Sequence, residues 1–495
     1  MSVTPSIADG VQELVEVEKR ADVNALTFGG ACIWPIVRRI QHFSRVQKDT
    51  KQPTALPEIG ESAFSDFMLR MDDSRLDRAA DLETQKAVLA GEKPCDALFI
   101  SRLLDHTDQV NGLHYNRFTD PFIQMLRDTG AQHLKLEISD HPAEALADRY
   151  EPTVPLQLPA WQSPEFLTDL PEGVAGYAAV AEAFAQVSRQ PPTFDHLASY
   201  LPRLWSRRNY FARLLRRIRP RAVCVICYYS ADILALVWAC RMLGIPTVDI
   251  QHGQKGPNHG MYNQWHVMPQ DGYALLPDYF FCWGASEKNL QEATLPALRL
   301  RPFSIISGNP WIGLWKQEGA ITFSDRLAAF CSDIKERKAA LVGLQPIEPL
   351  IPSALPGAMR RTPDWVWLLR LHPHQRYRLP EVIAHLTAGG VTNYEVELST
   401  MAPLYALLRN CDRLLTPWSS VASEALTFDL PVTIIDARGY DVYKHEIDTG
   451  VMSHAVTADD IARAVTENKP AQRSGDARIE SSLDLARQAL ATVLS

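Results

Sequence analysis

Charged and apolar positions are interspersed at helical spacing through residues 1–92, and "FGGACIWPIVRRIQHF" (28–43) is the one strongly apolar element there. From "CDALFIS" (95–101) the pattern changes: short apolar runs of strand length alternate with longer runs of helical period, which predicts βαβ units and a parallel sheet. "TDPFIQMLRDTGAQHLKLEIS" (119–139) continues it with a helix, a glycine stop and a strand. A proline-rich span, "YEPTVPLQLPAWQSP" (150–164), breaks the alternation and reads as an insertion or a surface loop. The alternation resumes at "RAVCVICYY" (221–229) and runs through "IPTVDI", "PDYFFCWG" and "RPFSIISGNP".

A second series starts near "KAALVGLQP" (338–346) and includes "DWVWLLRLHP" (364–373), "CDRLLTP" (411–417) and "PVTIID" (431–436). The pattern therefore predicts an α/β chain: an N-terminal extension (1–92), a Rossmann-like doubly wound domain (93–320) and a second one (335–495). In such sheets ligands sit beyond the carboxyl ends of the strands, so two of them predict a central cleft.

The length of 495 residues with 46% hydrophobic residues is enough for two cores. A net charge of -8 gives no support to a general affinity for nucleic acid, so an anionic partner has to be held locally. The first twenty residues have neither a basic start nor an apolar centre, and no apolar run reaches the roughly 18 to 20 residues of a spanning helix. A soluble, cytoplasmic protein is expected. Cys224 and Cys227 form a C-x-x-C, but strand period puts them on opposite faces, which reads as core rather than as a metal or redox pair.

Three segments carry ionisable groups directly after apolar strands. The first, "QHGQKGPNHG" (251–260), combines His252, Lys255 and His259 with glycines that let backbone approach a ligand. Histidine is the side chain suited to proton transfer near neutral pH, which makes His252 the candidate base, with Asp232 after "CYYS" as the second candidate. The second, "RLHPHQR" (370–376), sets His372 and Arg376 around a proline turn, cationic groups that suit a phosphate. The third, "TPWSSVASEAL" (416–426), puts Ser419 and Ser420 at a helix start, an anion-binding arrangement, with Glu424 one turn on and in reach of ribose hydroxyls. No D-x-D lies beside a strand end, so a leaving phosphate is expected to be stabilised by dipoles and cations, with no metal and no cofactor.

The order of Gln251-His252-Gly253, His372-Pro373 and Ser419-Ser420 resembles bacterial capsule-type polysaccharide glycosyltransferases of GT-B fold over about residues 220–440, with weaker echoes in "GGACIWPIVR" and "NRFTDPF". The resemblance implies two facing Rossmann-like domains. It implies a donor phosphate on His372, Ser419 and Ser420, as in the related Kdo and sialic-acid transferases, and a ribose on Glu424. Teichoic-acid polymerases share the H-G loop, H-P-x-x-R (His372, Pro373, Arg376) and the serine pair. The acidic triplet of sialyltransferases is missing, since Gln270 precedes Asp271-Gly272. Gln251, Lys255 and His259 are then expected to contact acceptor or sugar.

The stretch 202–221 carries eight arginines, with Phe211, Leu214, Leu215 and Ile218 at helical spacing. It reads either as a helix packed on the sheet or as a peripheral contact with the cytoplasmic face of the inner membrane, which would suit a lipid-linked glycan acceptor. The expected activity is transfer of a sugar, with CMP-linked donors included, from a nucleotide-activated donor to a glycan in cell-surface polysaccharide synthesis. The alternatives are a CDP-alditol phosphotransferase, a sugar-nucleotide 2-epimerase and a non-catalytic glycan-binding scaffold.

Overall fold

The computed structural model describes residues 7–46, 67–102, 105–106, 108–139, 146–187, 192–253, 255–294, 303–467 and 479–495. Two wholly parallel sheets organise them. The first runs, edge to edge, Phe303–Ile306, Tyr279–Cys282, Thr247–Ile250, Ala222–Ile226, Ala97–Arg102, His133–Ile138, Val154–Leu156. The second runs Tyr394–Glu395, Trp365–Arg370, Lys338–Gly343, Arg413–Thr416, Val432–Ile434, Ser453–His454.

In each sheet the first strand in the chain lies beside the fourth, the doubly wound order that opens a crevice where the winding reverses. In the first sheet that point lies between Ala97–Arg102 and Ala222–Ile226; in the second it lies between Lys338–Gly343 and Arg413–Thr416. The α/β architecture of two Rossmann-like sheets, the GT-B arrangement, is thus present.

Period-two alternation buries both faces of each sheet. On the first, Leu98, Ile100, Val223 and Val225 face the helices Phe194–Ile218 and Ala231–Leu243, while Phe99, Cys224 and Phe281 face Asp120–Thr129 and the terminal helix Leu483–Leu494. That last contact divides the expected second unit 335–495: its terminal helix belongs to the first sheet, and Glu480 bridges back by accepting from Asn309 N (2.7 Å) and donating to the Trp283 carbonyl (2.7 Å).

Three other expectations change. The proline-rich span 150–164 supplies the strand Val154–Leu156, and its Pro155 is tolerated because the strand is at the sheet edge. The extension is mainly helical, with Ile7–Arg20, Trp34–Val46 and Arg78–Ala90, but it also contributes Leu69–Arg70 to a small sheet with Thr322–Phe323, Asp108–Val110 and Leu113–Tyr115. The arginine-rich stretch lies in Phe194–Ile218, whose apolar face, including Trp205, Phe211, Leu215 and Ile218, is buried in the first core. That face is not left to insert into a membrane, and among the described residues no helix is long and apolar enough to cross one.

Candidate active site

The buried strand Thr247–Ile250 delivers Gln251, which is fully enclosed. Its amide donates to the Gly253 carbonyl (2.9 Å) and its oxygen accepts from Trp283 N (2.7 Å), so it braces the loop against the neighbouring strand rather than meeting a ligand. Lys255 is likewise buried, 3.5 Å from Asp249 Oδ2 and 4.1 Å over the Tyr262 ring. Asp249 accepts in turn from Tyr228 N (3.0 Å) and the Tyr262 hydroxyl (2.8 Å). Gln251 thus braces the loop, and Lys255 is enclosed beside Asp249 with its Nζ making no hydrogen bond.

His252 is the residue this architecture presents. Phe118 sits edge-on to its ring at 6.4 Å and Tyr229 lies at 6.2 Å, and its Nδ1 is shielded with no hydrogen-bond partner. Burial pushes its pKa below the ordinary histidine value; Lys255 and Arg102 add to this, against Asp249 and Asp105. The ring is thus neutral at neutral pH, the state a general base requires. His259 stacks on His42 at 4.8 Å and 22°, with Nε2 3.5 Å from the Tyr229 hydroxyl. Burial, then His42, His252 and Lys255, hold it well below its usual range.

The loop keeps this form because the N-terminal helices grip it. The fully buried Arg38 donates to the carbonyls of Gly260 (2.9 and 2.7 Å) and Asn263 (2.9 Å) and pairs with Glu18 at 2.5 Å. Glu18 also accepts from Trp34 Nε1 (2.7 Å), His266 N (2.5 Å) and Val267 N (3.1 Å). A Cβ at Gly260 would lie 3.3 Å from Val11, so the helix and loop are in close contact. The sequence signal for this was a charged pair, Arg38-Arg39, inside an otherwise apolar helix face.

Asp232, the second candidate base, opens the helix Ala231–Leu243 and is held by Arg207 Nε (3.1 Å) and Arg203 (3.4 Å). It is an ion-paired helix start.

In the second sheet the crevice strands are joined where Thr416 Oγ1 donates to the Gly343 carbonyl (2.8 Å), and Ser419 and Ser420 follow at once. The helix they open, Val421–Leu426, is only 6 residues long, and Ser420 makes no cap bond. Its dipole is correspondingly small, so an anion here depends on cationic side chains. Those come from the neighbouring strand Trp365–Arg370 and the turn Pro373–Arg378, which carry Arg370 and Arg376, with His372 between them. Arg370 donates to the carbonyls of Ser399 (2.8 Å) and Ala402, and burial, then Arg376, lower its pKa to about 9. Arg376 is also pushed down by burial, against Asp108. Glu424 is buried and accepts from the Tyr405 hydroxyl at 2.7 Å, with Ser420 Oγ 3.5 Å from its other oxygen. Tyr405 thus already occupies one oxygen of the group expected to hold ribose.

A residue within "NRFTDPF" that was not named as a site candidate is Arg117, which follows the hairpin Asp108–Tyr115 of the small sheet. Burial opposes its charge, but Tyr405, Asp108 and Glu424 outweigh that and hold its pKa up, so a first-half guanidinium lies within the field of second-half groups. Its neighbour Phe118 touches His252. Among the described residues no cluster of three or more His, Cys, Asp or Glu has the arrangement of a metal site.

No protein-family model and no curated protein matches this sequence. Solved structures do resemble it. A UDP-GlcNAc 2-epimerase from Methanocaldococcus jannaschii aligns over 81% of this chain and 100% of its own, at 12% identity and a TM-score of 0.48. The UDP-GlcNAc 2-epimerase of Neisseria meningitidis, solved with UDP-GlcNAc, aligns over the same shares at 12% identity and a TM-score of 0.44. The glycosyltransferase SnogD of Streptomyces nogalater aligns over 81% and 94% at 17% identity and a TM-score of 0.37.

Proposed function

We propose that the protein is a cytoplasmic glycosyltransferase that moves a sugar from a nucleotide-activated donor to a hydroxyl of a cell-surface glycan. The observation that carries this reading is the single loop 116–120: Phe118 abuts the neutral His252 of the first sheet, while Arg117 lies in the field of Glu424 and Tyr405 of the second. The loop thus adjoins the candidate base on one side and second-half groups on the other, an arrangement that suits group transfer between two held substrates.

In this account the acceptor hydroxyl lies against His252, which takes its proton as the new bond forms at the anomeric carbon. The bond to the donor phosphate breaks, and His372, Arg376 and the hydroxyls of Ser419 and Ser420 receive the developing charge. Glu424, oriented by Tyr405, offers its remaining oxygen to ribose. His259 and the residues around it form the acceptor wall.

The test is a thermal-shift panel with CMP, CDP, UDP, GDP and TDP, followed by nucleotide release from the matching sugar nucleotides with and without glycan acceptor. Stabilisation by one nucleotide, with release that depends on acceptor, supports the transferase. Ligand at about a hundred times its dissociation constant adds roughly 2.7 kcal/mol. Interconversion of the sugar without acceptor replaces the reading with an epimerase, a phosphodiester product replaces it with an alditol phosphotransferase, and no binding at all defeats it.

A further inference from the structure

We infer that Arg117 of the first half joins Arg370 and Arg376 of the second in one anion site that spans both sheets and takes a phosphate or diphosphate group. This deepens, and rests on, the donor-phosphate reading of the same region.

The placement of Arg117 is built rather than incidental. Asn116 Oδ1 accepts from Phe118 N (3.0 Å) and Thr119 N (3.3 Å), and Asp120 accepts from Asn116 N (2.9 Å). Asp120 is itself anchored by the buried Lys135 at 2.7 Å. The turn is therefore pinned on both sides of the arginine.

The distance between the two halves is fixed beneath it by a run of rings. Tyr115 stacks on Trp311 (4.6 Å), Trp311 meets Trp315 edge-on (5.9 Å), and Trp315 meets Tyr405 (5.7 Å), whose hydroxyl bonds Glu424. The run begins two residues from Arg117 and ends at the helix that follows Ser419 and Ser420.

The surroundings of Arg117 are shared with the second half: Arg370 lies within the field of both Arg376 and Arg117, while Asp108 and Glu424 act on Arg117 and Glu424 receives the Tyr405 hydroxyl. Arg370 is committed to backbone carbonyls and serves as fixed positive charge. The Arg117 Nε is shielded from solvent and makes no hydrogen bond. A shielded guanidinium donor without an acceptor costs free energy that an incoming anion recovers, and a phosphate oxygen matches the guanidinium fork.

Calorimetric titration of the full chain with inorganic pyrophosphate and with inorganic phosphate tests the site without any sugar transfer. Wild type is expected to bind pyrophosphate, R117Q to bind it at least about tenfold more weakly with its melting temperature retained, and R117K to recover part of the loss. Affinity should also fall with salt less steeply in R117Q than in wild type. Equal affinity in wild type and R117Q, or no binding by wild type, overturns the inference; should R117Q fail to fold, R117K carries the comparison. A chain that binds pyrophosphate through Arg117 but transfers no sugar keeps the anion site and loses the transferase, so the two readings fail separately.

Discussion

The loop after the strand Thr247–Ile250 and the turn after Trp365–Arg370 occupy equivalent places, each just beyond a carboxyl end in a doubly wound sheet, yet their charges are handled oppositely. In the first, Asp249 answers Lys255, Glu18 answers Arg38, and the histidines are held neutral. In the second, burial and then Arg376 push Arg370 down, burial pushes Arg376 down, and both draw on Asp108 from another part of the chain. On the proposed reading, the first region offers a neutral proton acceptor and the second offers cationic groups to a phosphate. The contrast separates the two tasks of group transfer.

The sharpest way to break the comparison is at His252. His252→Ala should reduce turnover by about 10²–10⁴-fold while the melting temperature stays near wild type, as steady-state rates and a thermal melt would record. A parallel loss of stability would make the residue structural.

Arg38→Ala strikes the architecture instead. It leaves the buried Glu18 carboxylate without its partner, and breaking such a pair costs about 3–5 kcal/mol, readable from denaturant midpoints.

The pH behaviour sharpens the first half of the contrast. Because the His252 pKa is lowered, the base is protonated only below the ordinary histidine range, so the acid limb of kcat/KM should lie under pH 6.5. Stability should follow the same sign. His42 falls from 6.5 to about 4, so as pH drops through that window the unfolded chain binds a proton the folded chain refuses, and stability is lost. His42→Phe should flatten that slope in pH-dependent melts.

The smallest effect is expected at Asp232. Asp232→Asn should leave turnover within about twofold; its pair with the exposed Arg203 contributes little, so any stability cost comes from the buried Arg207.

The alternation of apolar runs announced both sheets and most of their strands, because parallel strands buried on two faces must be continuously apolar. It missed three edge strands: Tyr394–Glu395 and Ser453–His454, too short to show a pattern, and Val154–Leu156, where prolines masked a strand that needs few backbone donors. It also gave no sign that Leu483–Leu494 returns to the first sheet, since an amphipathic helix does not reveal which surface it covers. In the site, His252, His372, Arg376 and the serine pair stood out in the sequence because they follow strands directly. Gln251 and Lys255 stood out for the same reason, and packing shows that both are also enclosed, Gln251 bonded to Gly253 and Lys255 beside Asp249. Arg117 and Arg38 lie within "NRFTDPF" and "GGACIWPIVR", but neither was named as a site residue, because each acts on a segment distant in sequence.

The central claim is the division of labour between the two strand ends, and the most direct measurement is the dissociation constant of the most stabilising nucleotide from the panel for wild type, His252→Ala and Arg376→Gln. The account predicts unchanged affinity in His252→Ala and a loss of about tenfold or more in Arg376→Gln, consistent with removal of a charge-assisted contact. Equal weakening in both variants, or weakening in His252→Ala alone, would put the nucleotide on the first sheet and contradict the account.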